Sequence, residues 1–197
     1  KQMRACYGRR FSHIELKSIK PYLTQNVFEA MKSLCRFHKQ IEGVDKKAAL
    51  HPCNTRIRDA MCTIPCRAVF TQIHYTELHK LWNDDGMKHT YTRYRHQFFI
   101  CDNAPFWFER MQEYHRRSFL PSLHDHCLNR QRTTGVHHIK LICPAASVGN
   151  DNECTADRVS LYDVGGAQTE RRRWNHFYHG THAVMFVVGL NSFCRSL

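Results

Sequence analysis

The chain has 197 residues, 42% of them apolar, and carries 29 lysines and arginines against 17 acids, a net charge of +12. That apolar share is enough for an ordinary core over one or two domains and excludes a wholly disordered chain. The longest apolar run lies within residues 183–190, far below the roughly 20 residues that cross a bilayer. Lys1 opens no secretory signal pattern, so a cytoplasmic setting with reduced thiols is expected.

Taken in chain order, residues 11–37 place Ile14, Ile19, Val27, Met31 and Leu34 at helical spacing behind a candidate N-cap, Ser12. Pro21 should kink this helix or delay its start. Residues 38–76 are less regular, with Pro52 and Pro65 as breakers. Helix resumes over 77–82 toward Asn83-Asp84-Asp85-Gly86, and 87–98 and 105–116 read as two further helices. In the second, Phe106, Trp107 and Phe108 read as core. Residues 136–143 and 159–162 read as neighbouring strands, joined by a polar surface loop over 144–157. Residues 169–178 suggest an amphipathic helix, and 181–190 a buried parallel strand.

The segment between those last strands carries the clearest chemistry. Asp163 falls at the carboxyl end of a strand, where open α/β sheets place ligands, and a carboxylate there suits a hard cation such as Mg²⁺. Gly165 and Gly166 lack a Cβ, so the backbone can approach a ligand and aim an N–H at an anion. Other candidates are less organised. Cys62 and Cys66 around Pro65, and His124-Asp125-His126-Cys127, hold possible zinc ligands without paired zinc-finger spacing. Basic clusters at Arg9-Arg10, Lys46-Lys47, Arg116-Arg117 and Arg171 to Arg173 read as a solvated surface. A nucleic-acid binder, the alternative they raise, would show strongly salt-dependent, sequence-tolerant binding, and no nucleic-acid-binding pattern organises them.

Asp163-Val164-Gly165-Gly166-Ala167-Gln168-Thr169-Glu170-Arg171-Arg172-Arg173-Trp174 resembles the switch II pattern DVGGQRSERKKW of heterotrimeric G-protein α subunits. Arg130-Gln131-Arg132-Thr133-Thr134-Gly135 is similar to the switch I motif of that family. Leu81-Trp82-Asn83-Asp84-Asp85-Gly86 matches its LWxDxG stretch, Phe119-Leu120-Pro121 its YLP, and Lys1-Gln2-Met3-Arg4 the KQMR after its P-loop helix. The motifs occur in the family's order and span nearly the whole chain. The GxGxSGKS, NKxD and TCAT motifs do not occur in it, so the resemblance implies a central piece that binds nucleotide poorly alone.

The resemblance implies an α + α/β fold, in which an all-helical insertion domain is followed by part of a Ras-like P-loop GTPase α/β domain. Residues 1–9 would end the first Ras-like helix, 10–125 form the helical domain, and 126–197 the partial GTPase domain, with 144–157 an insertion. It implies GTP or GDP as ligand with Mg²⁺, and a signalling GTPase as the activity. By position, Arg130 matches the arginine finger supplied in cis; Thr133 and Asp163 match the Mg²⁺-linked residues. Asp102, Asn103, Cys127, Leu128, Asn129, Arg130, Thr134, Asp163, Val164, Gly165, Gly166 and Ala167 match nucleotide-contacting positions, Leu128 replacing an arginine. Arg171, Arg172, Arg173, Trp174 and His176 match the partner-binding helix, which implies βγ subunits, receptors and effectors at the inner face of the plasma membrane, held there by a lipidated N-terminal segment. Ala167 stands where the family's water-orienting Gln belongs, and Gln168 is one position late. The expected alternative to a GTPase is therefore a non-hydrolysing relative that keeps the switch as a binding surface.

Overall fold

The computed structural model describes residues 10–65, 71–143 and 157–187. Residues 1–9 with their Lys1-Gln2-Met3-Arg4 match, Cys66, the 144–156 part of the expected loop and the 188–197 end lie outside the described residues. Two compact units form among the described residues, one of residues 17–121 and one of 10–16 with 122–187.

The predicted helix over 11–37 is two helices. Helix α1 (His13–Ser18) starts on Ser12, whose hydroxyl accepts the Glu15 N–H at 3.3 Å while the Glu15 carboxylate accepts the Ser12 N–H at 2.8 Å. This reciprocal pair is a capping box. Helix α2 (Lys20–Ile41) begins afresh with Pro21 in its first turn, where the missing N–H is no loss. Its inward stripe of Leu23, Val27, Met31, Leu34 and His38 recurs every three or four residues. Fully burying each of these apolar side chains stabilises by about 1.5–3 kcal/mol.

Helix α3 (Pro52–Thr63) crosses the stretch expected to be irregular. Its buried positions, Asn54, Arg58 and Met61, have helical spacing but are mostly polar, so a search for apolar periodicity passes over them. Helix α4 (Gln72–Trp82) starts earlier than expected because Thr71 caps it with His74, whose Nδ1 accepts the Thr71 N–H at 3.0 Å. Helix α5 (Asp85–Tyr94) and helix α6 (Ala104–Tyr114) complete the unit. Helix α6 packs on α2 and α4. Trp107, Phe108, Met111 and Tyr114 are wholly or almost wholly buried, and the Trp82 and Phe108 ring centroids are 4.8 Å apart. Trp107 and Phe108 are core, as expected, while Phe106 is half-buried against it.

Three polar devices lock the loops of this unit. Asp84 caps α5 by accepting the Gly86 N–H at 2.9 Å, and its other carboxylate oxygen accepts the His51 N–H at 3.0 Å and the Asn54 amide at 2.7 Å. Gly86 then lies against the backbone after α2: a Cβ there would meet the Ala49 carbonyl oxygen at 2.4 Å and that of Ala48 at 2.6 Å. Asp45 accepts from His89 (2.8 Å), Tyr94 (2.9 Å) and the Lys47 N–H (3.0 Å), which hold its carboxyl down at about 2.

The third device is buried. Arg58, 2% exposed, donates to the Nδ1 of His38 at 3.0 Å and pairs with Glu42 at 2.8 Å and Asp59 at 3.1 Å. His38 faces the Ala48 carbonyl through Nε2 at 2.8 Å. With Nδ1 accepting, the imidazole is neutral and Nε2 carries the proton. Burial, together with the Arg58 charge, holds the His38 pKa below its ordinary 6.5, against the opposing pull of the Ala48 carbonyl.

In the other unit, helix α7 (Leu123–Leu128) precedes an antiparallel pair, β1 (Val136–Cys143) and β2 (Asp157–Val164), in register from Val136 opposite Val164 to Cys143 opposite Asp157. Across this ladder His138 stacks on its partner Tyr162, with centroids 4.4 Å apart and planes 6° from parallel. The helix expected over 169–178 is instead a 3₁₀ turn (Arg171–Arg173) and a four-residue helix α8 (Asn175–Tyr178). The parallel strand expected over 181–190 is also corrected. Residues 181–187 are irregular, with Val184, Met185, Phe186 and Val187 between 61% and 86% exposed. A buried parallel strand needs strands beside it and helices on both faces, and among the described residues the sheet has two antiparallel strands.

Gly86→Ala should destabilise the protein. Alanine gains about 1 kcal/mol in helix propensity, but forcing a methyl onto two carbonyl oxygens costs about 1–3 kcal/mol, so a lowered urea midpoint is expected. Because the folded His38 pKa is depressed, its contribution is complete above pH 6.5 and is lost as pH falls through that value towards the lowered one. The wild type should therefore lose thermal stability between pH 7.5 and 5.5 with a slope from this group of at most about 1.4 kcal/mol per pH unit. His38→Gln should flatten that slope, whereas Asp45 acts only below its ordinary 3.8.

Candidate functional site

Helix α7 is set by Ser122 and Asp125. The wholly buried Asp125 carboxylate accepts the Ser122 N–H at 2.8 Å and hydroxyl at 2.7 Å, and the Asp125 N–H donates back to the Ser122 hydroxyl at 3.1 Å. His126, also buried, packs its ring on Phe11 with centroids 4.2 Å apart. The run His124-Asp125-His126-Cys127, whose spacing did not favour a zinc site, is part of a helix cap and its packing. Among the described residues no three such side chains converge to hold a metal ion.

Cys127 and Leu128 are half-buried on this helix, and Asn129, 5% exposed, closes it by donating its N–H to the Asp125 carbonyl at 2.8 Å. From there Arg130 to Thr134 run as an extended loop, with Arg130 and Thr134 exposed and Thr133 half-buried. The loop enters β1 through Gly135, whose φ of 72° is a left-handed conformation that favours glycine.

The far end of β2 meets this loop. The Gly165 N–H donates to the Gly135 carbonyl at 3.2 Å, and the Gly135 N–H donates to the Glu170 carboxylate at 3.1 Å. Gly165 is buried, and a Cβ on it would lie 2.8 Å from both the Thr133 carbonyl oxygen and Glu170 Cγ. The Trp174 indole N–H donates to the Gly165 carbonyl at 3.0 Å. Arg171 donates to the Gly166 carbonyl at 3.3 Å and lies over the Trp174 ring at 5.9 Å. Phe177 on α8 faces Tyr162 of β2 with centroids 5.8 Å apart, which ties this short helix to the sheet.

The structure thus brings together Thr133, Gly165, Glu170 and Trp174, from segments over 30 residues apart in the chain. Asp163 is in β2 opposite His137, with its side chain exposed, and Val164 ends the strand. Gly166 is exposed with open space above its Cα, Ala167 is half-buried and Gln168 is exposed. The Ala167 carbonyl accepts the N–H groups of Glu170 (2.8 Å) and Arg171 (3.1 Å) and so builds the turn. Arg172 and His176 are exposed, and Arg173 contributes its backbone to the 3₁₀ turn. Asp102 and Asn103 lie in the helical unit, in the turn that starts α6. A carboxylate at Asp163 and a hydroxyl at Thr133 suit Mg²⁺, which takes few protein oxygens and completes its shell with water and phosphate. Glu170 is the residue that sequence reasoning missed. It was visible inside the switch II resemblance, but its partner Gly135 is 35 positions away.

The family model for the G-protein alpha subunit matches residues 1–197. The chain belongs to that family. It is 28% identical over 203 residues to the guanine nucleotide-binding protein alpha-1 subunit of Pisum sativum, covering 100% of this chain and 51% of that protein. The alpha-2 subunit of Glycine max is also 28% identical and the alpha-1 subunit of Lupinus luteus 29%, with the same coverage. The chain spans about half the length of the curated relatives it matches. In this alpha-subunit chain no helix among the described residues is long and apolar enough to cross a membrane.

The two adjacent glycines should respond differently to substitution. Gly165→Ala forces a methyl into the Thr133 and Glu170 contacts and should loosen the 133–135 and 165–174 segments at a cost of about 1–3 kcal/mol. Gly166→Ala meets nothing within 4 Å and should leave them in place. Hydrogen exchange of the Gly135 and Gly165 amides reads the difference.

Proposed function

We propose that this chain is the central part of a GTP-dependent switch that relays signals from receptors through βγ subunits and effectors. The observation that carries this reading is the contact between the Thr133-Thr134-Gly135 loop and Gly165. The two segments that resemble switch I and switch II lie against each other, with Gly166 open beside them. The relatives' names, guanine nucleotide-binding proteins, support the same ligand. In this reading 10–125 is the helical insertion domain and 126–197 part of a Ras-like domain.

The roles follow from chemistry and position. Thr133 and Asp163 would hold Mg²⁺, which would supply positive charge against the phosphates. Arg130, exposed on its loop, is a guanidinium able to stabilise the transferring phosphoryl group. Gly165 and Gly166 offer backbone next to the phosphate, Val164 and Ala167 flank them, and Thr134 and the Cys127-Leu128-Asn129 end of α7 line the nucleotide; for Asp102 and Asn103, in the helical unit, a nucleotide contact is proposed from the resemblance alone. Arg171, Arg172, Arg173, Trp174 and His176 form the partner surface. The protein would act at the inner face of the plasma membrane.

Ala167 favours a second reading, a relative that binds but hydrolyses slowly. A methyl can neither donate nor accept, so no side chain at this position orients the attacking water. In the full-length protein we expect Mg²⁺-dependent binding of a GTP analogue and slow single-turnover hydrolysis. Ala167→Gln should raise hydrolysis by roughly a hundredfold, the order of one well-placed polar group in a transition state. No gain from the glutamine refutes slow hydrolysis through Ala167, and no nucleotide binding refutes the switch itself.

A further inference from the structure

We propose that Trp174 is a positioning residue for a phosphate contact: its indole N–H fixes the Gly165–Gly166 peptide so that the Gly166 N–H is aimed outward, at an oxygen of a bound nucleotide's terminal phosphate. The proposal rests on the switch reading of this segment and gives Trp174 an inward role besides its place in the partner surface. The Trp174 indole donates to the Gly165 carbonyl at 3.0 Å. In a trans peptide the C=O and N–H of one plane point in opposite directions, and the described chain has no cis peptide bond. A donor seated on the Gly165 oxygen therefore turns the Gly166 N–H to the side away from the indole. Gly166 is exposed, a Cβ on it would meet nothing within 4 Å, and among the described residues its N–H has no acceptor.

Glycine is the residue whose backbone is hardest to hold in one orientation, and Gly166 is held on both sides. Upstream, Gly165 is buried and donates its N–H to the Gly135 carbonyl at 3.2 Å, and the Thr133 carbonyl oxygen lies 2.8 Å from where its Cβ would stand. Downstream, the Gly166 carbonyl accepts from Arg171 at 3.3 Å, and the Ala167 carbonyl accepts the N–H groups of Glu170 at 2.8 Å and Arg171 at 3.1 Å. Trp174 itself is placed by three contacts. Its backbone N–H donates to the Arg171 carbonyl at 3.0 Å, the Arg171 guanidinium lies over its ring at 5.9 Å, and the Phe186 ring meets it edge-on with centroids 6.1 Å apart.

The chemistry of the contact calls for this support. A backbone N–H donating to a phosphate oxygen is a charge-assisted hydrogen bond, about twice as strong as a neutral one, and it weakens steeply when misaligned. A donor aimed before the ligand arrives costs no ordering at binding. Phenylalanine at position 174 would keep most of the ring packing and remove only the N–H, which leaves the Gly165–Gly166 peptide free to rotate. The indole also lies in the proposed partner surface, so a partner that moves Trp174 changes the aim of Gly166. By linkage the indole contact and phosphate binding at Gly166 strengthen each other, as a nucleotide-dependent switch requires.

Equilibrium binding of GDP and of a non-hydrolysable GTP analogue to the full-length protein with Mg²⁺ tests this in the wild type and in Trp174→Phe. The variant should bind the analogue about tenfold more weakly, the order of one hydrogen bond to a charged group. It should bind GDP within about twofold of the wild type, because GDP lacks the terminal phosphate, and that affinity also reports that the variant is folded. Equal weakening of both ligands overturns the proposal and makes Trp174 a packing residue, and unchanged affinity for both overturns it as well. If the wild type binds neither nucleotide, the switch reading fails, and the Gly166 backbone amide then decides the positioning role. Its NMR signal should shift on titration with inorganic phosphate in the wild type and stay in place in Trp174→Phe, and a signal that behaves alike in the two proteins refutes the role.

Discussion

Both units depend on the same constraint, a missing β-carbon where two backbones touch. At Gly165 the gap admits the Thr133 carbonyl and the Glu170 side chain, and at Gly86 it admits the Ala48 and Ala49 carbonyls. A methyl in either place would have to displace backbone, which cannot retreat as a flexible side chain can. At Gly86 the approach docks α5 onto the loop after α2 and lets Asp84 reach His51 and Asn54. At Gly165 it lets the loop before β1 and the loop after β2, which flank the same end of the antiparallel pair, exchange hydrogen bonds. The helical unit gains its shape from this approach, and the sheet unit gains its candidate site.

Charge is handled differently in the two places. In the helical unit Arg58 is almost completely buried, and burial alone would lower its pKa. Hydrogen bonds to Glu42 and Asp59 outweigh that effect, so the guanidinium stays charged, and His38 beside it is neutral and accepts from it. A buried charge with its partners in place adds little net stability, but removing one partner is costly. At the site the charged groups remain at the surface. Arg130, Arg171 and Asp163 are exposed, and only Glu170 and Thr133 are drawn in where the loops meet. That arrangement keeps charged side chains at the surface while the backbone beneath them is held by glycine contacts.

Some elements were legible because a local rule decides them. Ser12 caps α1, Pro21 begins α2 anew, and the strand over 136–143 was readable from its residues. Helix α3 was hidden because its inward face carries Asn54 and Arg58, whose burial is repaid by partners on α2 and α5 that no local window contains. The strand expected over 181–190 failed for the opposite reason. Its apolar residues satisfy the pattern, but a strand is completed by neighbours, and residues 184–187 are exposed. The candidate site was legible through the ordered motifs around Arg130, Thr133, Asp163 and Gly166. Glu170 was not, since its role depends on a peptide group 35 residues away.

By itself the sequence determined the family, the order of the motifs and the starts of α1, α2 and α6, because each of these depends on residue identity or on neighbours a few positions away. The tertiary structure decided which polar residues are buried, where the apolar tail segment lies exposed, and that the Gly135 peptide is held by Glu170 and Gly165. Those outcomes depend on distances between segments remote in the chain, and hydrogen bonding and steric exclusion act only once folding has brought the segments within a few ångströms.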